Sequence, residues 1–214
     1  MMIDRLHSTR PTCNAALIQV IPLFLSPCLS QVHENYAAET QDHEDHTFCG
    51  IMFDVAVPET GIPLDYVAVT SVAVRGMLGK LTVWSAPDGH DGKHEDKDKW
   101  TLVYEGEHKP SVRALVPLKL AAPLKLGPGQ RAALYVHSKR PGDQAIVYDN
   151  QRGDVTCADR FVTVSPGLAH LSNKPFGGRN PWGWGGACPS QFRGTPDCND
   201  SAALHSYGLD FHCC

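Results

Sequence analysis

Turn-forming residues divide this sequence into short apolar segments, and their spacing limits the fold more than any other feature. The chain has 214 residues, of which 19 are Gly and 16 are Pro. From residue 48 onward, turn signals recur about every ten residues, a spacing typical of β-sandwiches and jelly rolls. No long segment after Leu29 has helical periodicity. The sequence therefore predicts an all-β fold, an antiparallel, jelly-roll-like β-sandwich of about ten short strands.

Alternation of apolar and polar residues marks the individual strands. Strands are predicted at residues 51–57, 64–74, 80–85, 100–104, 114–118, 120–126, 131–137, 145–148, 160–164 and 202–212. Pro117 and Pro123 lack a backbone N–H, which restricts their strands to a sheet edge or a strand end. Trp84 and Trp100 lie among Leu and Val within strands, which predicts packing in the core. The last predicted strand is expected to close the sheet by pairing with the first.

The first thirty residues resemble a secretory signal. Arg5 and Arg10 precede an apolar stretch at 15–25, and small residues follow it. The apolar stretch is short for a membrane-spanning helix, which needs about 20 residues. We expect residues 1–30 to be a signal peptide or an N-terminal apolar anchor, 31–47 a polar linker, and 48–214 a single β-sandwich domain. The expected location is extracellular or the lumen of an organelle.

Six of the eight cysteines lie beyond this leader, an even number that fits an oxidising compartment. We expect two or three disulfides among Cys49, Cys157, Cys188, Cys198, Cys213 and Cys214. Cys188 and Cys198 flank an irregular loop and are the best-placed local pair. The C-terminal Cys213-Cys214 has a rival interpretation as a prenylation site, which conflicts with a secretory signal. Asn199 begins an Asn-Asp-Ser acceptor for N-glycosylation, which predicts modification in a eukaryotic secretory pathway.

An irregular segment rich in Trp, Gly and Pro, residues 175–201, is the candidate binding loop. Tryptophan on a loop offers a flat apolar face with a polar N–H, which suits stacking on a sugar ring or anchoring a protein interface. The alternative is that the indoles fold back as lids over the sandwich. The candidate ligand-binding or partner-binding residues are Phe176, Arg179, Trp182, Trp184, Phe192 and Arg193.

A charged loop at residues 87–99 (PDGHDGKHEDKDK) is the candidate metal site. Its oxygen and imidazole groups are ligands that Ca²⁺ or Zn²⁺ would accept. The spacing matches no EF-hand loop and three lysines offset the charge, so a solvated loop is favoured. We therefore expect no cofactor, with Ca²⁺ or Zn²⁺ as the alternative, and a loop that contributes little to folding stability. The candidate ligands are Asp88, His90, Asp91 and His94.

Several short motifs follow one another in a characteristic order. They are Phe53-Asp54-Val55, Thr82-Val83-Trp84, Trp100, Pro117-Leu118, Leu126-Gly127-Pro128-Gly129-Gln130, Tyr135-Val136, Val147-Tyr148 and Phe176-Gly177. In this order they resemble an extracellular β-sandwich module of bacteria and algae that is broadly similar to the PHR domain of animal ubiquitin-ligase and BTB adaptor proteins. The resemblance covers residues 48 to about 178 and implies a non-enzymatic recognition domain. RING and BTB segments are absent, so it does not imply a ligase role.

The net charge and the sequence motifs limit the classes of function that we expect for this chain. The net charge of −4 comes without the clustered basic face of a nucleic-acid binder. The sequence has no Gly-x-Ser-x-Gly elbow and no phosphate-binding loop. We expect a non-enzymatic, secreted or lumenal module that binds a glycan or a protein, and no nucleic acid, through its aromatic loop. The alternatives are an accessory subunit of a larger assembly, in contact with a membrane only through an uncleaved N-terminal segment, and a metal-dependent hydrolase on a jelly roll.

Overall fold

Antiparallel β-strands make up nearly all of the regular structure. A computed structural model describes residues 34–40, 46–59, 64–151, 153–177, 186–189 and 209–213. Within these residues the one helical element is a single 3-10 turn, Lys97–Lys99, and no helix is long and apolar enough to cross a membrane. The strands are β1 (Glu34–Ala38), β2 (His46–Phe48), β3 (Gly50–Ala56), β4 (Val67–Gly76), β5 (Gly79–Pro87), β6 (Thr101–His108), β7 (Ser111–Leu126), β8 (Arg131–Ser138), β9 (Ile146–Gln151), β10 (Cys157–Ala158), β11 (Thr163–His170), β12 (Gly186–Pro189) and β13 (Leu209–Cys213).

The strands form two sheets. The smaller sheet has the order β1-β13-β4-β7, and the larger has the order β2-β9-β12-β11-β3-β8-β5-β6, with β10 paired to β11. Every pairing is antiparallel. The predicted all-β, antiparallel fold is confirmed.

One hydrophobic core joins the two sheets. Alternate residues of β3 and β8, such as Phe53 and Leu134, are fully buried in the same cluster as Val69 of β4 and Leu118 of β7. Burying one such side chain contributes roughly 1.5–3 kcal/mol relative to leaving it exposed. The residues between them in β3 and β8 point to the opposite, outer face of the larger sheet.

The two prolines of the smaller sheet are accommodated at its edge. The two strands predicted at 114–118 and 120–126 lie in the single strand β7 (Ser111–Leu126), which pairs only with β4 in the part of the chain that the structure describes. Its register shifts between the pairs formed by Val69 and Ser71 of β4, close to Pro123. An edge strand needs backbone donors on one side only, so proline is tolerated there. The edge placement of Pro117 and Pro123 is confirmed.

The N-terminal and C-terminal strands differ from the sequence expectation. Residues 34–38, within the predicted linker, and 46–48, which span its end, form β1 and β2 at the edges of the two sheets. The last strand, β13, pairs with β1 and β4, whereas the predicted first strand (β3) pairs with β8 and β11. Edge strands such as β2 need no continuous apolar pattern, so their sequences resemble those of loops.

Candidate functional site

The outer face of the larger sheet carries a second buried cluster. Met52 of β3, Ala86 of β5 and Tyr135 of β8 project there and pack with Trp100. Trp84, Leu168 and Phe176 pack against this group and are partly buried. Both faces of the larger sheet are therefore covered, and loops rather than a further sheet cover the outer one.

Four aromatic rings dominate this face, and we call Trp84, Trp100, Tyr135 and Phe176 the outer aromatic cluster. Phe176 lies at its centre, with ring centroids 5.0 Å from Tyr135, 5.3 Å from Trp84 and 5.9 Å from Trp100. These separations and the tilted or edge-to-face geometries are those that aromatic quadrupoles favour. Trp100 is buried as predicted, but beneath loops rather than between the sheets, and Trp84 is only half-buried.

The charged loop is docked on this face through His90. The backbone N–H and the Nδ1–H of His90 both donate to Oδ1 of Asp54 on β3, each at 2.9 Å. Asp54 is only 5% exposed. Gly89 has a φ of +86°, and a Cβ there would lie 2.8 Å from Asp54 Oδ2, so glycine lets the loop approach the carboxylate. The first half of the loop is thus attached to the sheet.

Further hydrogen bonds hold this half of the loop together. Trp100 Nε1 donates to the carbonyl of Lys93 at 2.9 Å. Lys93 Nζ donates to the carbonyls of Gly89, at 3.0 Å, and Pro87. Residues 95–99 are exposed. The expectation of a solvated loop holds only for this second part, because the sequence did not reveal the partner of His90.

The electrostatics of His90 reflect its docking. Burial lowers the pKa of His90, but the hydrogen bond and the negative charge of Asp54 outweigh burial and leave the pKa raised. Asp91 adds to this rise and Arg131 opposes it. Because protonated His90 interacts more strongly with the carboxylate, the loop is held more tightly as the pH falls through the pKa of His90.

The predicted metal ligands do not converge. His90 is engaged by Asp54, its Nε2 lies 3.9 Å from the exposed carboxylate of Asp91, and Asp88 is exposed. No group of three or more His, Cys, Asp or Glu residues in the described part of the chain is arranged to hold a metal ion. The geometry therefore gives no support to the Ca²⁺ or Zn²⁺ alternative at Asp88, His90, Asp91 and His94.

Two buried histidines lie beside Tyr135 at the end of the cluster. The Tyr135 hydroxyl is 2.9 Å from Nδ1 of His170, and the rings of His137 and His170 are 5.1 Å apart. All three side chains have no exposed surface. A Cβ on Gly50 would lie 2.9 Å from Cδ2 of His137, so glycine at this position makes room for the imidazole. The sequence analysis did not identify this group, because a histidine in a strand gives no indication of which residues from other strands it contacts.

At the open edge of the larger sheet, three residues form what we call the edge patch: Trp84, Lys97 and Leu102. Trp84 of β5 and Leu102 of β6 are directly opposite in the sheet, and Leu102 is 43% exposed. Lys97 Nζ lies 5.4 Å from the centroid of the Trp84 ring. Strand β6 ends the sheet order and, among the described strands, pairs only with β5. The edge patch therefore extends the outer aromatic cluster, through Trp84, to exposed side chains at the rim of the sheet.

Of the predicted binding-loop residues, the structure describes only Phe176. It lies half-buried between the two tryptophans and Tyr135 rather than projecting into solvent. The role of the loop stays a prediction, because its remaining candidates lie outside the described residues: Arg179, Trp182, Trp184, Phe192 and Arg193. The predicted glycosylation site, Asn199, also lies outside them.

Two cysteines, Cys49 and Cys157, are free thiols. Cys49 is buried, its Sγ donates to the carbonyl of Gly142 at 2.9 Å, and Cys157 is half-buried. Burial raises the pKa of both thiols. The prediction that Cys49 and Cys157 form disulfides therefore finds no support in the described residues. A count of cysteines could not show that Cys49 lies beneath residues 142–143. The side chains of Cys188, Cys198, Cys213 and Cys214 lie outside the described part of the structure.

Comparison with known proteins does not assign the chain to a family. No protein-family model matches it, and no curated protein matches it. The resemblance to PHR-like modules therefore remains a hypothesis based on the quoted motifs and the sandwich fold.

Proposed function

We propose that this chain is a non-enzymatic binding module that recognises a glycan through its edge patch. The observation that carries the proposal is the half-buried indole of Trp84, on the strand next to the last one of the sheet, with exposed Leu102 of β6 opposite it. Large aromatic side chains are usually buried in soluble proteins, and an apolar surface on a sheet rim is typical of an interaction site. The resemblance to PHR-like recognition modules supports the same class of function.

The surroundings of Trp84 favour a sugar ring as the ligand. Phe176 packs edge-on against the indole at an interplanar angle of 81° and fixes its orientation. The ammonium group of Lys97 lies over the ring. Lys97 is an exposed residue on a 3-10 turn, and its side chain is flexible. A pyranose presents one apolar C–H face and a rim of hydroxyls. Its apolar face would stack on the indole, and Lys97 would move aside to donate to a hydroxyl or a carboxylate.

A protein ligand is the second candidate, and the open edge of β6 favours it. Leu102 is exposed, and the strand has backbone donors and acceptors facing away from β5. An extended segment of a partner can add to such an edge by main-chain hydrogen bonds. This mode predicts loss of binding when β6 is interrupted, whereas a sugar stacked on Trp84 depends mainly on the indole.

The proposal is tested by screening the purified chain on a glycan array and measuring the best oligosaccharide by calorimetry. Trp84→Ala should weaken binding about 30-fold or more, as expected for a central aromatic contact. Val112→Ala is the matched control, because Val112 is an apolar side chain on the smaller sheet that is 50% exposed. It should bind as the wild type does.

Thermal unfolding of each variant checks that the fold is retained. The glycan proposal is contradicted if no oligosaccharide binds, or if a folded Trp84→Ala variant binds the best one unchanged. Loss of a protein partner on changing Thr101 or Val103 of β6 to Pro, with Trp84→Ala unaffected, would establish the second candidate instead.

A further inference from the structure

A short surface segment closes over the two buried histidines, and we call residues 171–177 the roof segment. It begins directly after His170 and ends beyond Phe176, the central ring of the outer aromatic cluster. Nε2 of His137 donates to the carbonyl of Ser172 at 2.9 Å. His170 is the residue that directly precedes the segment in the chain. The roof segment is therefore bonded to one imidazole and joined through the backbone to the other.

The hydrogen bond to Ser172 determines the tautomer of the neutral His137 ring. A carbonyl oxygen can only accept, so Nε2 of His137 carries the hydrogen and Nδ1 holds the lone pair in the neutral ring. Nδ1 is buried and has no hydrogen-bond partner in the described part of the chain. Protonation would convert it into a buried, charged N–H donor with no acceptor, which a folded protein strongly disfavours.

Burial of the His137 ring disfavours such a charge more than the hydrogen bond to the Ser172 carbonyl favours it. His137 faces the ring of His170 at 5.1 Å and the ring of Tyr135 at 5.5 Å, and the positive charge of Lys139 acts against protonation of His137. The backbone of Cys49 donates to the carbonyl of His170, and the thiol of Cys49 is buried and has a raised pKa. Burial accordingly lowers the pKa of His137 to about 4 and that of His170 to about 3.

The roof segment is the weakest part of this enclosure. Leu171, Asn173 and Lys174 are exposed. The internal hydrogen bonds of the segment include Lys174 N to Ser172 Oγ and Gly177 N to the carbonyl of Lys174, each at 3.1 Å. Phe176 has a φ of +59°, a left-handed conformation that is strained for a phenylalanine. The strands beneath are held on both sides by sheet pairing, so water reaches the imidazoles most easily by displacing the roof segment.

We infer that residues 171–177 form an acid-released latch, in which protonation of His137 and His170 displaces the segment and uncovers the outer aromatic cluster. The trigger is the pair of buried imidazoles, and the element that moves is the roof segment carrying Phe176. The inference goes beyond the proposed function and does not depend on it, because the latch opens whether or not the uncovered surface binds a ligand.

The direction and size of the effect follow from proton linkage. In the open state the imidazoles regain a pKa near 6.5, so this state binds more protons and is favoured as the pH falls below that value. With closed-state values of about 4 and about 3, each histidine favours opening about 30-fold between pH 7.5 and pH 5. The pair together favours it by about two to three orders of magnitude.

Hydrogen exchange followed by mass spectrometry tests the latch on the full chain at pH 7.5 and pH 5.0, corrected for intrinsic exchange rates. Peptides covering residues 171–177 should lose protection at least about 30-fold at pH 5.0, while residues 132–136 of β8 stay protected. The double variant His137→Gln/His170→Asn, which keeps amide groups in place of the imidazoles, should lose this pH dependence. His46→Gln, a change at an exposed edge-strand histidine, should keep it.

Three results would overturn the inference. The first is equal protection of residues 171–177 at both pH values. The second is loss of protection in β8 to the same extent as in the roof segment, which would indicate global unfolding. The third is undiminished acid opening in the double variant. If that variant does not fold, each single substitution is measured in the same way, and each should reduce the pH effect about tenfold or more.

Discussion

Removing the carboxylate of Asp54 should detach the charged loop from the sheet and destabilise the protein. Asp54 is 5% exposed and accepts two hydrogen bonds from His90, one from the backbone and one from the ring. Asp54→Ala leaves both donors without an acceptor beneath the loop. A hydrogen bond to a charged group contributes about 1.5–3 kcal/mol. Because part of the His90 ring can regain water, we expect a loss of about 2–4 kcal/mol in the free energy of unfolding.

Asp54→Asn removes the negative charge but keeps a hydrogen-bond acceptor, so it distinguishes the contribution of the charge from that of the hydrogen bonds. The amide oxygen can still accept from the backbone N–H of His90, so the expected loss is smaller, about 1–2 kcal/mol. For a chain of this size, each kcal/mol lowers the melting temperature by about 2–4 °C. Asp98→Ala is the matched control, because Asp98 is an exposed carboxylate in the same loop. It should change stability by less than about 0.5 kcal/mol.

The cost of Asp54→Ala should depend on pH in a defined direction. The pKa of His90 is raised in the folded protein, so the ion pair with Asp54 contributes fully below the ordinary histidine pKa of about 6.5. Its contribution is lost as the pH rises through the raised pKa. The stability difference between the wild type and Asp54→Ala is therefore larger at pH 6 than at pH 9.

Urea unfolding at both pH values, followed by circular dichroism, measures these differences. Equal losses for Asp54→Ala and Asp98→Ala would refute the docking argument. A loss for Asp54→Ala that is the same at pH 6 and pH 9 would show that the ring of His90 does not pair with the carboxylate.

Two further predictions concern the inner end of the site. Gly50→Ala should destabilise the protein by about 1–3 kcal/mol in urea unfolding. The added Cβ would lie 2.9 Å from both Cδ2 of His137 and the carbonyl oxygen of Val136. Unchanged stability would mean that the imidazole is not packed over Gly50. In the folded protein, a thiol reagent should modify half-buried Cys157 before buried Cys49, as followed by peptide mapping. Recovery of either residue in a disulfide would contradict the free-thiol arrangement.

Local sequence patterns were sufficient for the fold class and for most strands. Alternation with a period of two identifies which residues share a strand face, and Phe53 and Val55 are buried together as predicted. Proline restricts a strand through its own missing donor, so Pro117 and Pro123 indicated an edge without reference to any distant residue. The predicted break between their strands was wrong, because β7 continues as one strand and accommodates Pro123 with a shift of its register against β4.

The sequence by itself determined the antiparallel sandwich and its inner face, whereas only the tertiary structure decided what covers the outer face. Periodicity cannot distinguish a strand face that packs on a second sheet from one that packs under loops, which is why Trp84 and Trp100 were assigned to the sandwich core. The contacts that form the site join residues far apart in the chain: Asp54 and His90 are 36 positions apart, and His137 and Ser172 are 35 apart. Such contacts leave no periodic trace, because each depends on how strands from separate parts of the chain are brought side by side.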